Sequence, residues 1–127
     1  MFSHVVLGAN DIAESKAFYD ATLGALGGPE GRIDERGRIV YEYGGGRFLV
    51  TLPIDGEPAT HANGGTIGFV APSPEAADAW HAAGIANGGT AIQNPPGIRN
   101  ATEGRVVYLA YLRDPAGNKL CAFHRIS

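Results

Sequence analysis

Cysteine is almost absent from this chain, and its scarcity limits how the fold can be held together. The 127 residues include a single cysteine, Cys121. A disulfide within the chain is therefore impossible, and such low use of cysteine is typical of a reducing compartment. The N-terminus shows neither the basic segment nor the apolar segment of a secretory signal. We therefore expect a cytoplasmic protein that relies on a packed core.

Long apolar runs and one-sided charge are also missing. No stretch approaches the roughly 18 consecutive apolar residues of a membrane span. The formal net charge is -3, and the ten Lys and Arg residues are scattered along the chain. Scattered cations do not form the basic patch that nucleic acid requires. The sequence therefore predicts neither a membrane nor nucleic acid as a partner, and its length predicts one domain.

The chain does contain an internal repeat. Residues 4–28 and residues 66–90 align without a gap. Matching positions include Val5 with Ile67, Phe18 with Trp80 and Gly27 with Gly89. Each copy has an apolar strand, a helix-capping residue, an amphipathic helix and a glycine stop. A repeat of this length indicates two similar modules that must pack together to close a core.

Both helices have a recognisable N-terminal signal. Asp11 precedes the first helix, and Glu14 three residues later completes a capping box. Ser73 precedes the second helix, which has Pro74 in its first turn. Apolar residues then recur at helical spacing until glycine ends each helix. The pattern predicts two helices, one in each module.

Strands follow each helix. In the first module, Arg38–Tyr43 and Arg47–Ile54 are predicted as a hairpin across three glycines. The predicted strands of the second module are Thr90–Gln93, Arg105–Leu112 and Lys119–His124. The proline-rich segment 94–100 between the first two of these is predicted as a long loop at the rim of a site.

The element order is therefore βαβββ in each half. It predicts an α+β fold in which two βαβββ modules in tandem form a cup-shaped mixed β-sheet with the helices outside. One domain covers residues 1–127, with module one at 1–57, a linker at 58–64 and module two at 65–127. We expect the functional site where the two modules face each other.

A more specific motif lies near the C-terminus. The turn Asp114-Pro115-Ala116-Gly117-Asn118 resembles the aspartate-proline-x-glycine-asparagine turn of the glyoxalase/bleomycin-resistance/extradiol-dioxygenase superfamily, the vicinal oxygen chelate proteins. The doubled βαβββ order agrees with this resemblance. So does a first-strand histidine, His4, followed by Phe18-Tyr19 on the helix. Because these features extend over essentially the whole chain, it is identified as a member of that superfamily.

The resemblance implies where a metal site would lie. In metal-using members the ligands come from the first strand of each module and from a last strand, inside the cup. His4 matches the first of these positions, but Thr66 and Cys121 occupy the other two. Val50 occupies the equivalent last-strand position of module one. A catalytic divalent ion generally needs three protein ligands, so the resemblance implies no conventional cofactor, with a divalent metal as the alternative.

Two main functions stay open at this stage, beside the possibility of a purely structural or regulatory dimer module without a ligand pocket. The first is a glyoxalase/bleomycin-resistance-like protein that binds a small, partly apolar molecule in the cup without a conventional catalytic metal. The second is a divalent-metal-dependent lyase, isomerase or dioxygenase similar to lactoylglutathione lyase, with His4, His61 and Cys121 as ligands. Whether the chain is an enzyme is open, and no catalytic residue is assigned. The resemblance also implies a homodimer.

Six residues are candidates for ligand binding: His4, Phe48, Thr66, Arg99, Tyr111 and Cys121. His4 is also the candidate metal ligand. Each of these residues has an ordinary structural explanation as well. Cys121 would be a small buried apolar residue, and Arg99 a solvated loop residue. Tyr108 and Tyr111 lie an odd number of residues apart on one strand, so only one of them can face the cup.

Overall fold

The computed structural model describes residues 1–127 and contains two helices and nine strands. The first module consists of β1 (Val5–Gly8), α1 (Ile12–Ala25), β2 (Arg32–Ile33), β3 (Ile39–Tyr43) and β4 (Gly46–Thr51). The second consists of β5 (Ile67–Val70), α2 (Pro74–Ala86), β6 (Thr90–Ala91), β7 (Gly97–Asn100), β8 (Val106–Arg113) and β9 (Lys119–Arg125). A short 3-10 turn, Thr102–Gly104, precedes β8.

Each module forms its own mixed sheet. The first sheet has the strand order β1-β4-β3-β2, and the second has the order β5-β9-β8-β6, with β7 also paired to β8. In both modules the first strand runs parallel to the last, and the other pairs are antiparallel. The predicted α+β fold is confirmed. The second module departs from βαβββ only because its second strand position is divided between β6 and β7.

The repeat aligns the first elements of the two modules. Strands β1 and β5 occupy matching positions, and helices α1 and α2 begin at matching residues and end within one residue of matching positions. The Asp11 carboxylate accepts a hydrogen bond from the Glu14 backbone N–H at 2.9 Å. The Ser73 hydroxyl accepts one from the Ala76 backbone N–H at 3.0 Å. Both predicted N-caps are therefore formed, because short side-chain acceptors satisfy N–H groups that have no partner inside the helix.

The prediction that residues 94–100 are a loop was wrong for their second half. Gly97–Asn100 forms β7, and its backbone pairs antiparallel with Val106–Leu109. Pro95 and Pro96 lie just before the strand, so no proline interrupts its hydrogen bonding. The short strand β2 was not predicted at all. Both of its residues are exposed, and two exposed residues give no alternating pattern to detect.

One core joins the two modules. Sixteen buried residues form a single cluster that includes residues of both helices and one face of each sheet. Phe18 and Trp80, which match each other in the repeat, are both 0% exposed. Since the helices cover only this face, the opposite face of each sheet is left for other contacts. Neither helix has the length and apolar character that a membrane span requires.

The turn between β8 and β9 ties the modules together. The Asp114 carboxylate is 3% exposed, and its Oδ1 accepts from the backbone N–H groups of Ala116 and Asn118. The Asn118 side chain donates to Asp114 Oδ2 and, at 2.9 Å, to the carbonyl oxygen of Gly8 in module one. This turn therefore has a structural role, because it connects the last strands of module two to the first strand of module one.

Candidate functional site

The second sheet packs one face on the helices and presents the other face to a cavity. Leu112 and Leu120 are 0% exposed and belong to the core cluster. Side chains alternate along a strand, so Tyr111 and Cys121 lie on the opposite face. Gly68, Cys121 and Tyr111 are neighbours across β5, β9 and β8. The glycine adds no side chain to this row and leaves room above it.

A cavity of about 360 Å³ lies on this face. Three of the predicted site residues line it: Thr66, Tyr111 and Cys121. Its volume is within the range of small-molecule sites. The structure therefore brings half of the six candidates together, all of them from module two.

The cavity has a polar end and an apolar end. Thr66 and Lys119 lie at one end, since each immediately precedes one member of the neighbouring pair Ile67 and Leu120 on parallel strands. Val70 and Phe123 are neighbours at the other end. A molecule with one polar and one apolar end would match this arrangement.

Sequence reasoning missed five of the eight lining residues, and two of these, Lys119 and Phe123, could have been found. Both lie two residues from Cys121 on β9, and side chains two apart in a strand face the same way. The alternation was therefore sufficient to find them once Cys121 had been assigned to the cup. The ammonium nitrogen of Lys119 lies 5.2 Å from the ring centroid of Tyr111, within the range of a cation–π contact.

Lys119 is the only charged residue among those that line the cavity. Burial raises the pKa of the Cys121 thiol to about 11, and the nearby Lys119 ammonium opposes this shift only in part. Burial, and secondarily the Cys121 sulfur, raises the pKa of Tyr111. Both groups are consequently protonated and neutral near pH 7. The cavity offers one cation, one thiol and hydroxyl groups, and no general base.

Two of the other candidates, His4 and Arg99, do not line this cavity. His4 is exposed and precedes β1, with its Nδ1 2.8 Å from the Ser3 hydroxyl. Arg99 curls back on its own segment, where its Nη2 donates to the Pro95 carbonyl oxygen at 2.5 Å. A role in ligand binding stays a prediction for both residues.

The third, Phe48, lies on the side of its sheet that faces the helices. It is 7% exposed, and its ring centroid is 5.0 Å from that of Tyr19 and 5.4 Å from that of Phe69. Phe48 lines a different cavity, between the two modules. The alternation of β4 shows that Phe48 and Leu49 face opposite ways, but it does not by itself tell which way is inward. A binding role for Phe48 also stays a prediction.

The side chains present do not fit the divalent metal site that the resemblance implies. The structure contains no group of three or more His, Cys, Asp or Glu side chains that could hold a metal ion. His61 lies against the turn at Gly117, where a Cβ would stand 3.1 Å from its Nδ1. His4 is exposed before β1, and Cys121 is buried on β9. These three donors are therefore not gathered at one point.

Comparison with known proteins agrees with the fold. The family model described as Glyoxalase/Bleomycin resistance protein/Dioxygenase superfamily matches residues 1–122. The crystal structure of a glyoxalase/bleomycin resistance protein from Albidiferax ferrireducens T118 is similar over 98% of this chain and 99% of its own, with 58% identity and a TM-score of 0.94. Curated protein sequences gave no match.

Two more distant structures share the fold. A glyoxalase/bleomycin resistance protein/dioxygenase family enzyme from Burkholderia phytofirmans PsJN has 21% identity and a TM-score of 0.68, with 96% of each chain covered. A lactoylglutathione lyase from Agrobacterium tumefaciens has 22% identity and a TM-score of 0.63, with 98% of this chain and 92% of its own covered. Similarity at this level of identity shows the common fold alone.

Proposed function

The chain belongs to the glyoxalase/bleomycin resistance protein/dioxygenase superfamily, and we propose that it binds a small, partly apolar molecule on the free face of its second sheet. The observation that carries this proposal is the cavity of about 360 Å³ that gathers Thr66, Tyr111 and Cys121. Concave sites with apolar walls and a few polar groups are the usual form of small-molecule sites.

The lining supports one orientation of the ligand. Its polar end would lie between the Thr66 hydroxyl and the Lys119 ammonium, and its apolar end would lie against Val70 and Phe123. Since Lys119 is the only charge in the lining, an anionic group on the ligand would find a partner there. The ligand class that matches is a short apolar molecule with an acidic end.

We further propose that binding uses no conventional catalytic metal. The support comes from the donor chemistry: Thr66 is a weak donor, and the Cys121 thiol is held protonated by a raised pKa. With His4 exposed before β1, no third ligand faces them. The protein would then retain a ligand rather than activate it through a metal ion.

Elemental analysis separates this proposal from a metal-dependent lyase, isomerase or dioxygenase. Protein purified without a histidine tag and without added salts should contain far less than one equivalent of zinc, nickel, manganese or iron. A stoichiometric amount of any of these ions, removed by a chelator together with an activity, would establish the metal-dependent alternative instead. The measurement does not depend on knowing the ligand.

A binding experiment tests the assigned face. The chain has two lysines, Lys16 on α1 and Lys119 in the cavity, so each can serve as the control for the other. We expect hexanoate to bind the wild type in calorimetry. Lys119→Gln should weaken this binding by at least about tenfold, since a charge-assisted hydrogen bond contributes roughly 1.5–3 kcal/mol. Lys16→Gln should leave the affinity unchanged. Equal affinities for both variants would contradict the assigned face.

We also propose that the protein forms a homodimer. Apolar side chains on the first strand of each module, Val6 and Val70, are 43% and 79% exposed in the single chain. Exposed apolar side chains on a sheet favour association with another surface. Light scattering across micromolar concentrations should give twice the chain mass of 13.2 kDa. A constant monomer mass over that range would disprove the dimer.

A further inference from the structure

A second cavity, of about 250 Å³, lies where the β3–β4 hairpin faces β5 of the other module. We refer to it as the seam cavity. Most of its lining is apolar, and four aromatic rings contribute to it: Tyr41, Tyr43, Phe48 and Phe69. The rings of Phe48 and Phe69 meet edge to face, with centroids 5.4 Å apart. Such a lining suits a flat, apolar ligand.

The seam cavity lies at a place where the two modules differ. The registers of β1 with β4 and of β5 with β9 place Gly46 where module two has Asn118, and Val70 where module one has Gly8. The Asn118 side chain reaches the Gly8 carbonyl oxygen at 2.9 Å and closes that side of the boundary. Gly46 has no side chain, so the matching space beside Val70 stays open.

Arg47 lines the seam cavity, and its guanidinium group is not hydrogen-bonded to a carboxylate. The nearest carboxylate oxygen to Arg47 is Glu42 Oε1, 3.8 Å from its Nε and beyond hydrogen-bonding distance. That oxygen already accepts from Arg32 Nη2 at 2.6 Å. The Arg47 side chain is 43% exposed, so a ligand can reach it from solvent. Its guanidinium group therefore has donors available to a planar anion.

We propose that the seam cavity binds a small aromatic carboxylate. The ring would pack among Tyr43, Phe48 and Phe69, and the carboxylate would accept hydrogen bonds from the Arg47 guanidinium. Guanidinium and carboxylate groups match in a planar, two-point geometry. A volume below that of common ligand sites limits the ligand to one or two rings. The seam cavity adjoins the first cavity, because Gly68, Phe69 and Val70 of β5 line both, but Thr66, Tyr111 and Cys121 line only the first.

The experiment is an NMR titration of the full chain with 2-naphthoate. We expect saturable shifts at the backbone amides of Tyr43, Arg47 and Phe48. The neutral analogue 2-naphthamide, which has the same shape, should bind about tenfold more weakly because it lacks the charge. Arg47→Gln should weaken 2-naphthoate by a similar factor. Arg36→Gln makes the same charge change on an exposed residue and should leave the affinity unchanged.

Gly46→Asn tests the cavity itself, because it places in module one the residue type that module two has at the equivalent position, Asn118. A Cβ at Gly46 would meet only the Tyr43 carbonyl oxygen, at 3.9 Å, so the variant should fold. We expect it to abolish 2-naphthoate binding while hexanoate binding is retained. The proposal is overturned if the wild type shows no saturable binding up to millimolar 2-naphthoate, if the shifts lie at Tyr111 and Cys121 instead, or if folded Gly46→Asn binds as the wild type does.

Discussion

The Tyr19 hydroxyl donates a hydrogen bond of 2.5 Å to Oδ2 of Asp114, which joins the first helix to the turn between the last two strands. Both residues are buried, at 0% and 3% exposure. The Asp114 carboxylate also accepts three bonds from N–H groups of its own turn. A buried carboxylate with all its acceptors used stabilises the fold and is not available for chemistry.

Replacing Tyr19 with Phe should test how much this contact stabilises the protein. The change leaves the buried Asp114 carboxylate with one donor fewer, so we expect the free energy of unfolding to fall by roughly 1–3 kcal/mol. Tyr108→Phe is the matched control, because the Tyr108 hydroxyl bonds the exposed Asp78 at 2.6 Å and its loss should cost about 0.5 kcal/mol or less. Urea denaturation measures both variants. Equal losses of unfolding free energy in the two variants would show that the buried Tyr19 contact stabilises the fold no more than the exposed Tyr108 contact does.

Two buried tyrosines should make the protein sensitive to alkali. Burial and the Asp114 carboxylate raise the pKa of Tyr19 well above its ordinary value of 10.0, and burial and Asp20 raise that of Tyr41. A phenol with a raised folded-state pKa contributes stability that is complete below pH 10 and is lost as the unfolded chain ionises above it. We expect the urea midpoint to fall between about pH 10 and 11.5, as these phenols ionise only in the unfolded chain.

The two single Phe variants isolate the residues responsible for this alkaline loss. Tyr19→Phe and Tyr41→Phe should each show a shallower dependence of the urea midpoint on pH above 10, although each is less stable at pH 7. Tyr108→Phe should keep a slope closer to that of the wild type, since Tyr108 is partly exposed. Parallel slopes for all three variants would mean that other groups cause the loss.

Most of the fold could be predicted from the sequence because the repeat presents the pattern of its strand and helix twice. Asp11 and Ser73 both cap helices, and the two helices begin at matching residues and end within one residue of matching positions. Strands β2 and β7 escaped prediction for a physical reason. Their stability comes from backbone pairing with β3 and β8, which leaves no signature in the side chains of such short segments.

The site was harder to predict than the fold. The alternation of side chains along a strand separates the two faces of a sheet, but it does not show which face packs against the helices. Thr66 and Cys121 proved to share a cavity, but Phe48 packs beneath the helices. His4 lies outside, although its repeat match Thr66, which likewise stands one residue before its strand, lines the cavity. Lys119 was not considered, although it lies two residues from Cys121 on the same strand. These outcomes depend on contacts between distant segments, which a single sequence does not display.

Replacement by alanine should have opposite effects at two glycines, the buried Gly84 of α2 and the exposed Gly24 of α1. A Cβ at Gly84 of α2 would lie 2.2 Å from Leu112 Cδ1 and 3.2 Å from Phe18 Cε2, so Gly84→Ala should destabilise the protein by about 1–3 kcal/mol. A Cβ at Gly24 of α1 meets nothing within 4 Å. Gly24→Ala should therefore stabilise by about 0.5–1 kcal/mol, the usual gain inside a helix. Thermal unfolding of both variants measures the direction of each change in stability. A stabilised Gly84→Ala variant would refute the close packing of α2 on β8.

Cys121 should react slowly with thiol reagents in the native protein. Burial raises the pKa of its thiol to about 11 from an ordinary value of 9.0, so the reactive thiolate is about a hundredfold scarcer than in the unfolded chain. We expect the rate with a disulfide reagent at pH 8 to rise by about that factor on addition of denaturant. The native rate should also keep increasing with pH up to about 11.

Lys119→Gln provides the charge test for the same cysteine. The Lys119 ammonium lowers the pKa of the Cys121 thiol and so offsets part of the increase that burial causes. Its removal should therefore raise this pKa further and slow the reaction of the native protein at pH 8. Lys16→Gln, on the outer surface of α1, should react as the wild type does. If Lys119→Gln reacted faster than the wild type while still folded, access to the cavity rather than thiolate content would limit the reaction. The Lys119 side chain would then act mainly by shielding Cys121 from the reagent.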